Sequence, residues 1–573
     1  MDPALWEELR ERGDGELEAI IRFRPGAIDV PGVRVVARFG SVATCRVLPR
    51  DVRRVRRHPA VRSLKAARAL SPDLVVAGRR PGGEALPGDV RFPPGCPLTG
   101  AGVVVGVVDW GLDVPRFPRL LRLWDQRGAG PAPPAPYGYG RVLERPLLEA
   151  ARRSGSPYEL LGYHPGSADR GGGSHGTHVA DIAVGDGTGG GPLGVAPEAW
   201  LVFVHLADRG TGGLATLGDS VRLLEAVDFV RRTAGPLPWV VNVSVGRHGG
   251  PHDGRTLVEL AFDELLAAAP GRFLVQSAGN YYRARTHATG VLAAGGRHRL
   301  TFATHPDDRS PNELEVWYPG AAEVAVRITP PGRRAGRWLG LGRRRVLVSD
   351  GRPVARIYHR ARDPNNGDHH VDAFLPAAAP PGRWTVDLVS RAAVPVRFHA
   401  WLERDDACPP CQTRFTGSSV DPSSTTGTIA NGRLPLVVGA YDAHDPARPA
   451  ARFSSSGPTR DDRVKPDLLA PGVDVLAARS APQGSRTSPG LLVRKSGTSM
   501  AAPHVTGAVA LCLQATGGRL PAAEIRQLVR GTARPSRAVP GARAGAGYLD
   551  LDRLVRAVRA HPLAEPAPTP IEE

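Results

Sequence analysis

The sequence predicts an α/β protein, a parallel sheet flanked by helices with a small α+β unit before it and a β-sandwich inserted within it. Apolar runs that end in turn residues alternate with helical segments over residues 100–284 and again over 405–560. Such alternation is typical of a parallel sheet with right-handed crossovers. Residues 285–404 instead carry short alternating strands with no helix between them, which predicts the inserted sandwich.

The N-terminal unit is predicted to span residues 1–75. Its pattern predicts strands over residues 17–23, 33–39 and 42–48, a short helix over 49–57 that begins at a proline, and a last strand over 61–65. Residues 76–99 are rich in glycine and proline, so they are expected to form a linker.

The first part of the α/β domain, residues 100–284, opens with an uncharged run from Val103 that ends at Asp109. Such a run predicts a buried parallel strand, and Asp109 lies at its C-terminal end, where open α/β sheets bind their ligands. The alternative for Asp109 is a simple cap after a strand. The later pattern predicts a helix from residue 175, strands over 200–206, 239–246 and 273–280, and helices over 217–233 and 256–269.

The insert, residues 285–404, is predicted to contain strands over residues 314–318, 324–328, 346–348, 355–358, 384–389 and 396–402. The second part of the α/β domain, residues 405–560, resumes with a strand over 434–441 and ends with helices over 522–532 and 551–560. Residues 561–573 are rich in proline and glutamate and are expected to be disordered.

Composition excludes few classes of function. The 573 residues carry a net charge of +18, and only Lys65, Lys465 and Lys495 are lysines, so arginine supplies nearly all the positive charge. The arginines are scattered and no nucleic-acid motif accompanies them, so we expect no nucleic-acid partner. No apolar run is long enough to span a bilayer, and no secretory signal is visible at the N-terminus. We therefore expect a cytoplasmic protein, the alternative being export by an unrecognised route.

The cysteines are few: Cys45, Cys96, Cys408, Cys411 and Cys512. An odd and sparse set argues against a disulfide framework. Cys408 and Cys411 have redox spacing, but two prolines lie between them and no βαβ context surrounds them. A zinc site would require a second pair. We expect structural cysteines without a chemical role.

The segment around Ser499 carries the clearest chemical signal. Residues 500–513 are uncharged, which predicts a buried helix with Ser499 at its N-terminus. Backbone N–H groups and the positive end of the helix dipole there would stabilise an oxyanion beside a nucleophile. Pro503 is expected near the helix start, where a missing N–H costs little. The alternative is an ordinary serine cap.

Three further residues complete a candidate constellation with Ser499. His175 follows a glycine-rich loop at a helix start, Asp109 ends a strand, and Asn280 ends another strand among small residues. His175 and His178 could bind a metal, but their spacing is three rather than four and the glutamate of a zinc-protease helix is absent. His175 is therefore interpreted as a single base, and His178 as a packing or capping residue. Serine, imidazole, carboxylate and a side-chain amide together suit acyl transfer.

These residues lie in motifs that resemble those of the subtilisin-like serine proteases (subtilases, peptidase family S8). The motifs cover residues 100–280 and 425–560; they are VVDWGLD (107–113), HGTHVA (175–180), GVAP (194–197), SAGN (277–280), FSSSGPT (453–459) and GTSMAAPH (497–504). The resemblance implies a serine endopeptidase that acts on protein or peptide substrates through an acyl-enzyme intermediate.

The resemblance also implies a role for each residue. Ser499 would be the nucleophile, His175 the base and then acid, Asp109 the residue that orients His175, and Asn280 an oxyanion donor. Substrate would add as a strand to a further set of residues, Gly210, Gly212, Ser244, Val245, Gly246, Ser277, Ala278 and Gly279. The N-terminal unit resembles the inhibitory prodomain of the family, which implies a proenzyme.

The inserted sandwich resembles the jelly-roll insertion of the Csp-type subtilases, and Trp124, Gln126 and His287 fit that subgroup. No cofactor is expected; structural calcium is common in the family, but the single carboxylate of the loop at Asp186 places none. Trp110 and Asp181 depart from the usual serine or threonine and glycine. They motivate an alternative function, a catalytically weak or dead subtilase that acts as a binding or regulatory scaffold.

Overall fold

The computed structural model describes residues 1–11, 15–72, 75–81, 88, 95–128, 133–169, 171–207, 209–211, 214–216, 220–403 and 408–564. The N-terminal unit comprises α1 (Pro3–Glu11), β1 (Leu17–Phe23), β2 (Val33–Phe39), β3 (Val42–Val47), α2 (Val52–Arg57) and β4 (Val61–Ala66). Its antiparallel sheet has the order β2-β3-β1-β4. The strands follow the predicted pattern, whereas α1 was not predicted.

The segment predicted as a linker begins with paired backbone. Two strands follow the N-terminal unit, β5 (Ser71–Pro72) and β6 (Val75–Pro81). The linker prediction for residues 76–99 is therefore wrong over residues 76–81, because β6 finds a strand partner more than 400 residues away in the sequence. Glycine and proline content cannot reveal such a long-range pairing.

The first part of the α/β domain alternates strands and helices, as its sequence pattern predicts. Its elements are β7 (Val104–Asp109), β8 (Leu120–Asp125), β9 (Arg141–Glu144), α3 (Arg145–Arg153), α4 (Pro157–Leu161), α5 (His175–Val184), β10 (Trp200–His205), β11 (Arg209–Thr211), β12 (Leu214–Thr216), α6 (Ser220–Ala234), β13 (Trp239–Val243), β14 (Val245–Gly246), α7 (Leu257–Ala267) and β15 (Arg272–Ser277). Thr256 caps α7 through a capping box with Glu259, which fixes the start of that helix.

The insert follows with β16 (His287–Leu292), β17 (Arg297–Thr304), β18 (Asn312–Tyr318), β19 (Val324–Thr329), β20 (Arg344–Ser349), β21 (Arg352–Arg360), β22 (His369–Leu375), β23 (Gly382–Ser390), β24 (Val396–Leu402) and β25 (Arg414–Thr416). Two antiparallel sheets, β16-β24-β18-β22-β21-β20 and β19-β23-β17-β25, enclose an apolar core of their own. The insert therefore extends past residue 404, because β25 pairs with β17. A disulfide that was not predicted joins Cys408 to Cys411.

The second part of the α/β domain contains β26 (Leu436–Tyr441), β27 (Leu468–Pro471), β28 (Val475–Ala478), β29 (Leu492–Ser496), α8 (Thr498–Ala515), α9 (Ala522–Thr532), α10 (Gly541–Ala544) and α11 (Leu551–Arg559). The predicted tail, 561–573, is ordered over residues 561–564, where the Leu563 carbonyl accepts from Arg519. Residues 565–573 lie outside the described residues. Within the described part of the chain, no helix is both long and apolar enough to cross a bilayer.

The central sheet has the order β27-β26-β15-β13-β7-β10-β8-β9, parallel throughout except for β9 at its edge. Its inner strands, such as β7, β13 and β26, are buried on both faces, which explains their continuous apolar runs. The buried helix α8 packs against β13, β15 and β26, while α5 packs against α8 and β7. The predicted α/β fold class is confirmed. This packing brings the start of α8 and the start of α5 to the same edge of the sheet.

Candidate active site

A buried carboxylate and an imidazole form the centre of the site. Asp109 is the last residue of β7 and is fully buried, and His175 is the first residue of α5. His175 Nδ1 donates to Asp109 Oδ1 at 2.6 Å, and the backbone N–H of Trp110 donates to the same oxygen at 2.7 Å. A carboxylate removed from water requires such donors. They hold the Asp109 side chain and fix which ring nitrogen of His175 carries its proton.

The two unusual residues beside this pair have partners of their own. The Trp110 side chain is buried, and its backbone carbonyl accepts the N–H of Gly176 at 2.8 Å. Asp181 Oδ2 accepts the N–H of Ala478, the last residue of β28, at 2.9 Å. Both residues therefore support the elements around His175, and neither occupies the hydrogen-bonding position of Asp109.

The second ring nitrogen of the His175 imidazole, Nε2, differs from Nδ1 in its hydrogen bonding. His175 Nε2 is buried and has no hydrogen-bond partner among the described residues. A buried polar atom without a partner is costly, and such atoms mark sites where a ligand or a reacting group completes the contact. His178, by contrast, is fully buried and lies within 3.1 Å of the Val475 and Val493 carbonyl oxygens, as expected for a packing residue.

Ser499 is the second residue of α8, and reciprocal hydrogen bonds tie it to Ser244. Its hydroxyl donates to the Ser244 carbonyl at 3.2 Å, and the Ser244 hydroxyl donates to the Ser499 carbonyl at 3.2 Å. The amide of Asn242 donates to Ser244 Oγ at 2.8 Å. These bonds fix the start of α8 against the strand that follows Val243.

Pro503 explains why the Ser499 carbonyl is available to Ser244. It is the sixth residue of α8, so its missing N–H would have bonded to the carbonyl four residues earlier, which is that of Ser499. The expectation that Pro503 falls among the donors without intrahelical partners is therefore wrong. Its effect is to free one carbonyl of the helix, and the Ser244 hydroxyl satisfies it.

The amide of Asn280 is oriented by the residue that precedes Ser499. Asn280 Oδ1 accepts from the N–H and from the hydroxyl of Thr498, each at 3.1 Å. The same hydroxyl accepts the N–H of Gly279 at 3.1 Å. With its oxygen occupied, the amide presents Nδ2, which is buried and has no hydrogen-bond partner among the described residues. It can therefore donate to an oxygen that enters the site.

A segment of the chain itself lies on the predicted substrate strand. Ser71 and Pro72 of β5 pair antiparallel with Gly246 and Val245 of β14. Strand addition of this kind supplies backbone hydrogen bonds that do not depend on sequence.

The opposite wall of the predicted cleft is a hairpin. Gly210 of β11 pairs with Ala215 of β12, and Gly212 lies outside the described residues. The predicted pairing of substrate with this wall therefore stays a prediction.

The remaining predicted substrate residues, Ser277, Ala278 and Gly279, lie at and just after the end of β15. The Ala278 N–H donates to the Val438 carbonyl at 3.0 Å, which holds the segment against β26. Gly279 has a positive φ of 99°, and a Cβ there would lie 2.7 Å from the Tyr281 ring. Only glycine fits this position, which lets the backbone turn directly before Asn280.

Sequence analysis missed a buried lysine next to the constellation. Lys495 Nζ donates to the carbonyl oxygens of Gly173 and Ser174 at 2.6 and 3.2 Å, and these residues directly precede His175. Burial lowers the pKa of this ammonium to about 8, although the negative charges of Asp169 and Asp109 oppose that effect. The signal was present in the sequence, because Lys495 is one of only three lysines in the chain.

The loop before His175 is also held from its other side. Asp169 Oδ1 accepts three backbone N–H groups at 2.7–2.9 Å, those of Gly171, Gly172 and Gly173. Lys495 therefore binds the carbonyls of the loop while Asp169 binds its amides. Together they place the loop that positions His175.

The residues near Asp186 do not fit a calcium site. Asp186 Oδ1 accepts the N–H of Thr188 at 2.9 Å, so this carboxylate closes its own turn. A calcium ion requires six to eight oxygen ligands, and the loop offers a single carboxylate.

The N-terminal unit packs on two helices beside the site. Its sheet contacts α6 and α7, and several of its apolar residues belong to the core of the α/β domain. Arg46 of β3 forms a bidentate pair with Glu225 of α6 at 2.8 and 3.0 Å, with both side chains buried. The Ser41 hydroxyl donates to Glu264 of α7 at 2.7 Å. These contacts direct residues 71–72 onto β14.

Comparison with known proteins agrees with this geometry. The model of the subtilase family matches residues 100–549. The serine protease AprX of Bacillus subtilis is 35% identical over 124 residues, which are 20% of this chain and 28% of AprX. The subtilisin-like protease SBT4.4 of Arabidopsis thaliana is 39% identical over 107 residues, which are 17% of this chain and 13% of that protein. These matches thus span less than a third of either relative's own length.

Among solved structures, the CspB protease of Clostridium perfringens superimposes with a TM-score of 0.67 at 23% sequence identity. The match covers 82% of this chain and 97% of that chain. At this identity the likeness concerns the fold.

Proposed function

This chain belongs to the subtilase family, and we propose that it is a serine endopeptidase that hydrolyses peptide bonds through Ser499, His175 and Asp109. One observation carries the proposal. His175 is bonded to Asp109 through Nδ1, while His175 Nε2 and Asn280 Nδ2 are both buried and have no hydrogen-bond partner among the described residues, at the site where Ser499 lies in the first turn of α8. A nucleophile, a base and an oxyanion donor then share one site.

The geometry suggests how the residues act in sequence. Ser499 Oγ turns from the Ser244 carbonyl to attack the substrate carbonyl, and its proton passes to His175 Nε2. Asp109 stabilises the imidazolium that forms, and its hydrogen bond keeps the ring in the productive orientation. The oxyanion receives Asn280 Nδ2 and the backbone N–H of Ser499, which lies in the first turn of α8 at the positive end of the helix dipole. His175 then returns the proton to the leaving amine, and water repeats the sequence on the acyl-enzyme.

The N-terminal unit acts as an intramolecular inhibitor in this proposal. Ser71 and Pro72 occupy β14, the strand to which substrate backbone would add. After two residues the chain continues as β6, in which Val75 pairs with Ser496, three residues before Ser499. Both strands therefore pair with segments beside the candidate nucleophile, and we propose that processing occurs between Pro72 and Val75.

A fluorophosphonate probe tests the enzyme proposal. The full chain is folded first, and its N-terminal unit is then removed at an engineered protease site. We expect the probe to label Ser499, and we expect neither labelling nor self-processing in a Ser499→Ala variant. Ser496→Ala, which removes a nearby hydroxyl that accepts from the Asp474 N–H, is the matched control and should keep both. Folded, processed protein that resists the probe would favour the alternative, a catalytically dead scaffold.

A further inference from the structure

Two paired strands of the insert place three ligand-type side chains on one face. In the β18–β22 pair, Glu315 lies directly opposite Asp372, and Trp317 lies opposite His370. Residues two apart in a strand share a face, so His370 and Asp372 point to the same side as Glu315. Two carboxylates that face each other across a strand pair repel and destabilise the sheet unless something neutralises them.

The three side chains are buried and close to one another. Glu315 is 3% exposed, His370 2% and Asp372 0%, and one ligand atom from each lies within 4.8 Å of the other two. His370 Nδ1 is 2.6 Å from Asp372 Oδ2. Even so, both Asp372 oxygens and both His370 nitrogens lack a well-aligned hydrogen bond among the described residues. Buried polar atoms that lack well-aligned hydrogen bonds are typical of a site that a ligand completes.

The nearby cationic side chains form their shortest ion pairs with other carboxylates. Arg68 donates to Glu313 at 2.7 Å, and Arg247 contacts Glu313 at 3.1 Å and Glu403 at 3.0 Å. On the far side of His370, Asp363 is paired with Lys65 at 2.6 Å. Two guanidinium charges therefore balance Glu313 and Glu403.

The same guanidinium groups lie farther from the two facing carboxylates, those of Glu315 and Asp372. Arg68 lies 3.7 Å from Glu315 Oε1 and 3.7 Å from Asp372 Oδ1, and Arg247 lies 3.6 Å from Glu315 Oε1. These separations exceed hydrogen-bond distance. Arg68 and Arg247 thus form only long ion pairs with Glu315 and Asp372, and a divalent ion between the two carboxylates would stabilise their negative charge at closer range.

There is room for such an ion. A cavity of about 100 Å³ adjoins the three residues and is also lined by Arg68 and Thr428. This volume accommodates an ion together with the water molecules that would complete its coordination.

We propose that Glu315, His370 and Asp372 bind a divalent transition-metal ion such as Zn²⁺ or Mn²⁺. One imidazole nitrogen and two carboxylate oxygens suit these ions, whereas Ca²⁺ and Mg²⁺ prefer oxygen ligands alone. Trp317 prepares the site: its Nε1 donates to Glu315 Oε2 at 2.8 Å, which leaves Oε1 as the ligand, and its ring stacks on His370 at 4.2 Å. Such outer contacts orient metal ligands.

The site also connects the insert to the N-terminal unit. Arg68 belongs to the segment between β4 and β5, and it approaches the same two oxygens that would bind the metal. The ion and the Arg68 guanidinium therefore repel each other. Metal binding weakens the hold of the insert on the segment that leads to Ser71 and Pro72.

Metal titration of the full-length Ser499→Ala chain tests the site independently of proteolysis. We expect calorimetry and elemental analysis to give one Zn²⁺ or Mn²⁺ per chain and no comparable binding of Ca²⁺. Co²⁺ should produce visible absorption bands from nitrogen and oxygen coordination, a readout that needs no substitution at the site. Absence of stoichiometric binding, or Ca²⁺ binding as tight as Zn²⁺, overturns the proposal.

Variants then locate the ion. Asp372→Asn and His370→Gln should each weaken binding at least about 100-fold, more than loss of an outer partner costs. Glu323→Gln, an exposed insert carboxylate paired with Arg391, is the matched control and should bind normally. Arg68→Gln should bind more tightly, because it removes the competing cation. Unchanged metal affinity in a folded Asp372→Asn chain would show that the ion binds elsewhere. If that variant does not fold, the Co²⁺ spectrum of the chain with an intact site decides whether nitrogen and oxygen ligands hold the ion.

Discussion

Replacing Lys495 by methionine should change the catalytic rate much more than the free energy of unfolding. Two opposing terms act on the free energy of unfolding. Burial lowers the pKa of the ammonium from 10.5 to about 8, and at 1.36 kcal/mol per pKa unit this is a cost of about 3 kcal/mol for holding the charge in the fold. The variant relieves that cost but leaves the carbonyls of Gly173 and Ser174 without their donor, at about 1–3 kcal/mol each. We expect a net change between about 1 kcal/mol of stabilisation and about 3 kcal/mol of destabilisation.

Catalysis should respond more strongly than stability. Without the ammonium, the loop that precedes His175 keeps its bonds to Asp169 and those of Ser174 to Ser480 and Gly111. A displacement of about 1 Å at a catalytic group costs on the order of 100-fold in rate. We expect kcat/KM on a peptide substrate, and the rate of inactivation by a fluorophosphonate, to fall about 10- to 100-fold. Denaturant unfolding of the same samples measures the stability term.

Lys465→Met is the matched control. Lys465 is also buried, but its ammonium pairs with the Asp467 carboxylate at 2.7 Å, so the variant leaves a buried charge short of a partner. Arg526 also contacts the Asp467 carboxylate and offsets part of the loss. This variant should therefore lose up to about 3–5 kcal/mol of stability, while its folded fraction keeps normal kcat/KM. The reasoning fails if Lys495→Met keeps kcat/KM within about twofold, or if the two variants behave alike.

The lowered pKa also predicts a pH dependence with a definite sign. Between pH 8 and 10.5 the unfolded chain keeps the Lys495 proton that the folded chain has lost. The unfolded state then binds more protons, so stability rises with pH in this window, by up to about 3 kcal/mol. The difference in unfolding free energy between the native sequence and Lys495→Met, measured across that range, isolates this contribution from other titrating groups. A flat difference would contradict the assigned pKa.

Three further outcomes follow from named contacts. Asn280→Ala should lower kcat by about 10²- to 10³-fold with little change in KM, measured by steady-state kinetics on the processed enzyme, because one oxyanion donor is lost. Arg46→Ala leaves Glu225 buried without its bidentate partner. Inhibition of the processed enzyme by the N-terminal unit should therefore weaken at least about 100-fold. Equal inhibition constants for the native and the Arg46→Ala unit would contradict this. Burial lowers the pKa of His252 to about 3 and that of His399 to about 2, so the unfolded chain binds protons first below pH 6.5 and stability falls as the pH drops, by about 2 kcal/mol per histidine at pH 5. Unfolding curves at pH 7 and 5 test this. His399→Gln should remove about 2 kcal/mol of the effect, and the remainder belongs to His252 and to other buried histidines with a lowered pKa, such as His205.

The α/β fold and its strands could be predicted because a strand that is buried on both faces consists almost entirely of apolar residues. The run that ends at Asp109 is apolar for this reason, and the alternation around it indicates a parallel sheet. Prediction of strands from the sequence failed where a strand forms only because it pairs with a distant strand. The strand β6 lies in a glycine- and proline-rich stretch and forms against β29, and β25 extends the insert because it pairs with β17. Local patterns carry no information about such distant partners.

The candidate site divides in the same way. By itself, the sequence determined which chemical groups are present and which element carries each, because Asp109, His175, Asn280 and Ser499 lie in short motifs at strand ends and helix starts. Only the tertiary structure decided their hydrogen bonds. It set which nitrogen of His175 is held, which atom of Asn280 is presented, and how Pro503 frees a carbonyl for Ser244.

Tertiary structure also revealed the residues that sequence could not rank. Lys495 holds the loop before His175, and Glu315 faces Asp372 across a strand pair, although no local pattern in the sequence links either residue to these partners. The physical reason is that a charge acquires its role from burial and from partners that lie far away in the chain. Covalent order specifies the chemistry of each side chain, whereas folding alone determines which charges are left without water.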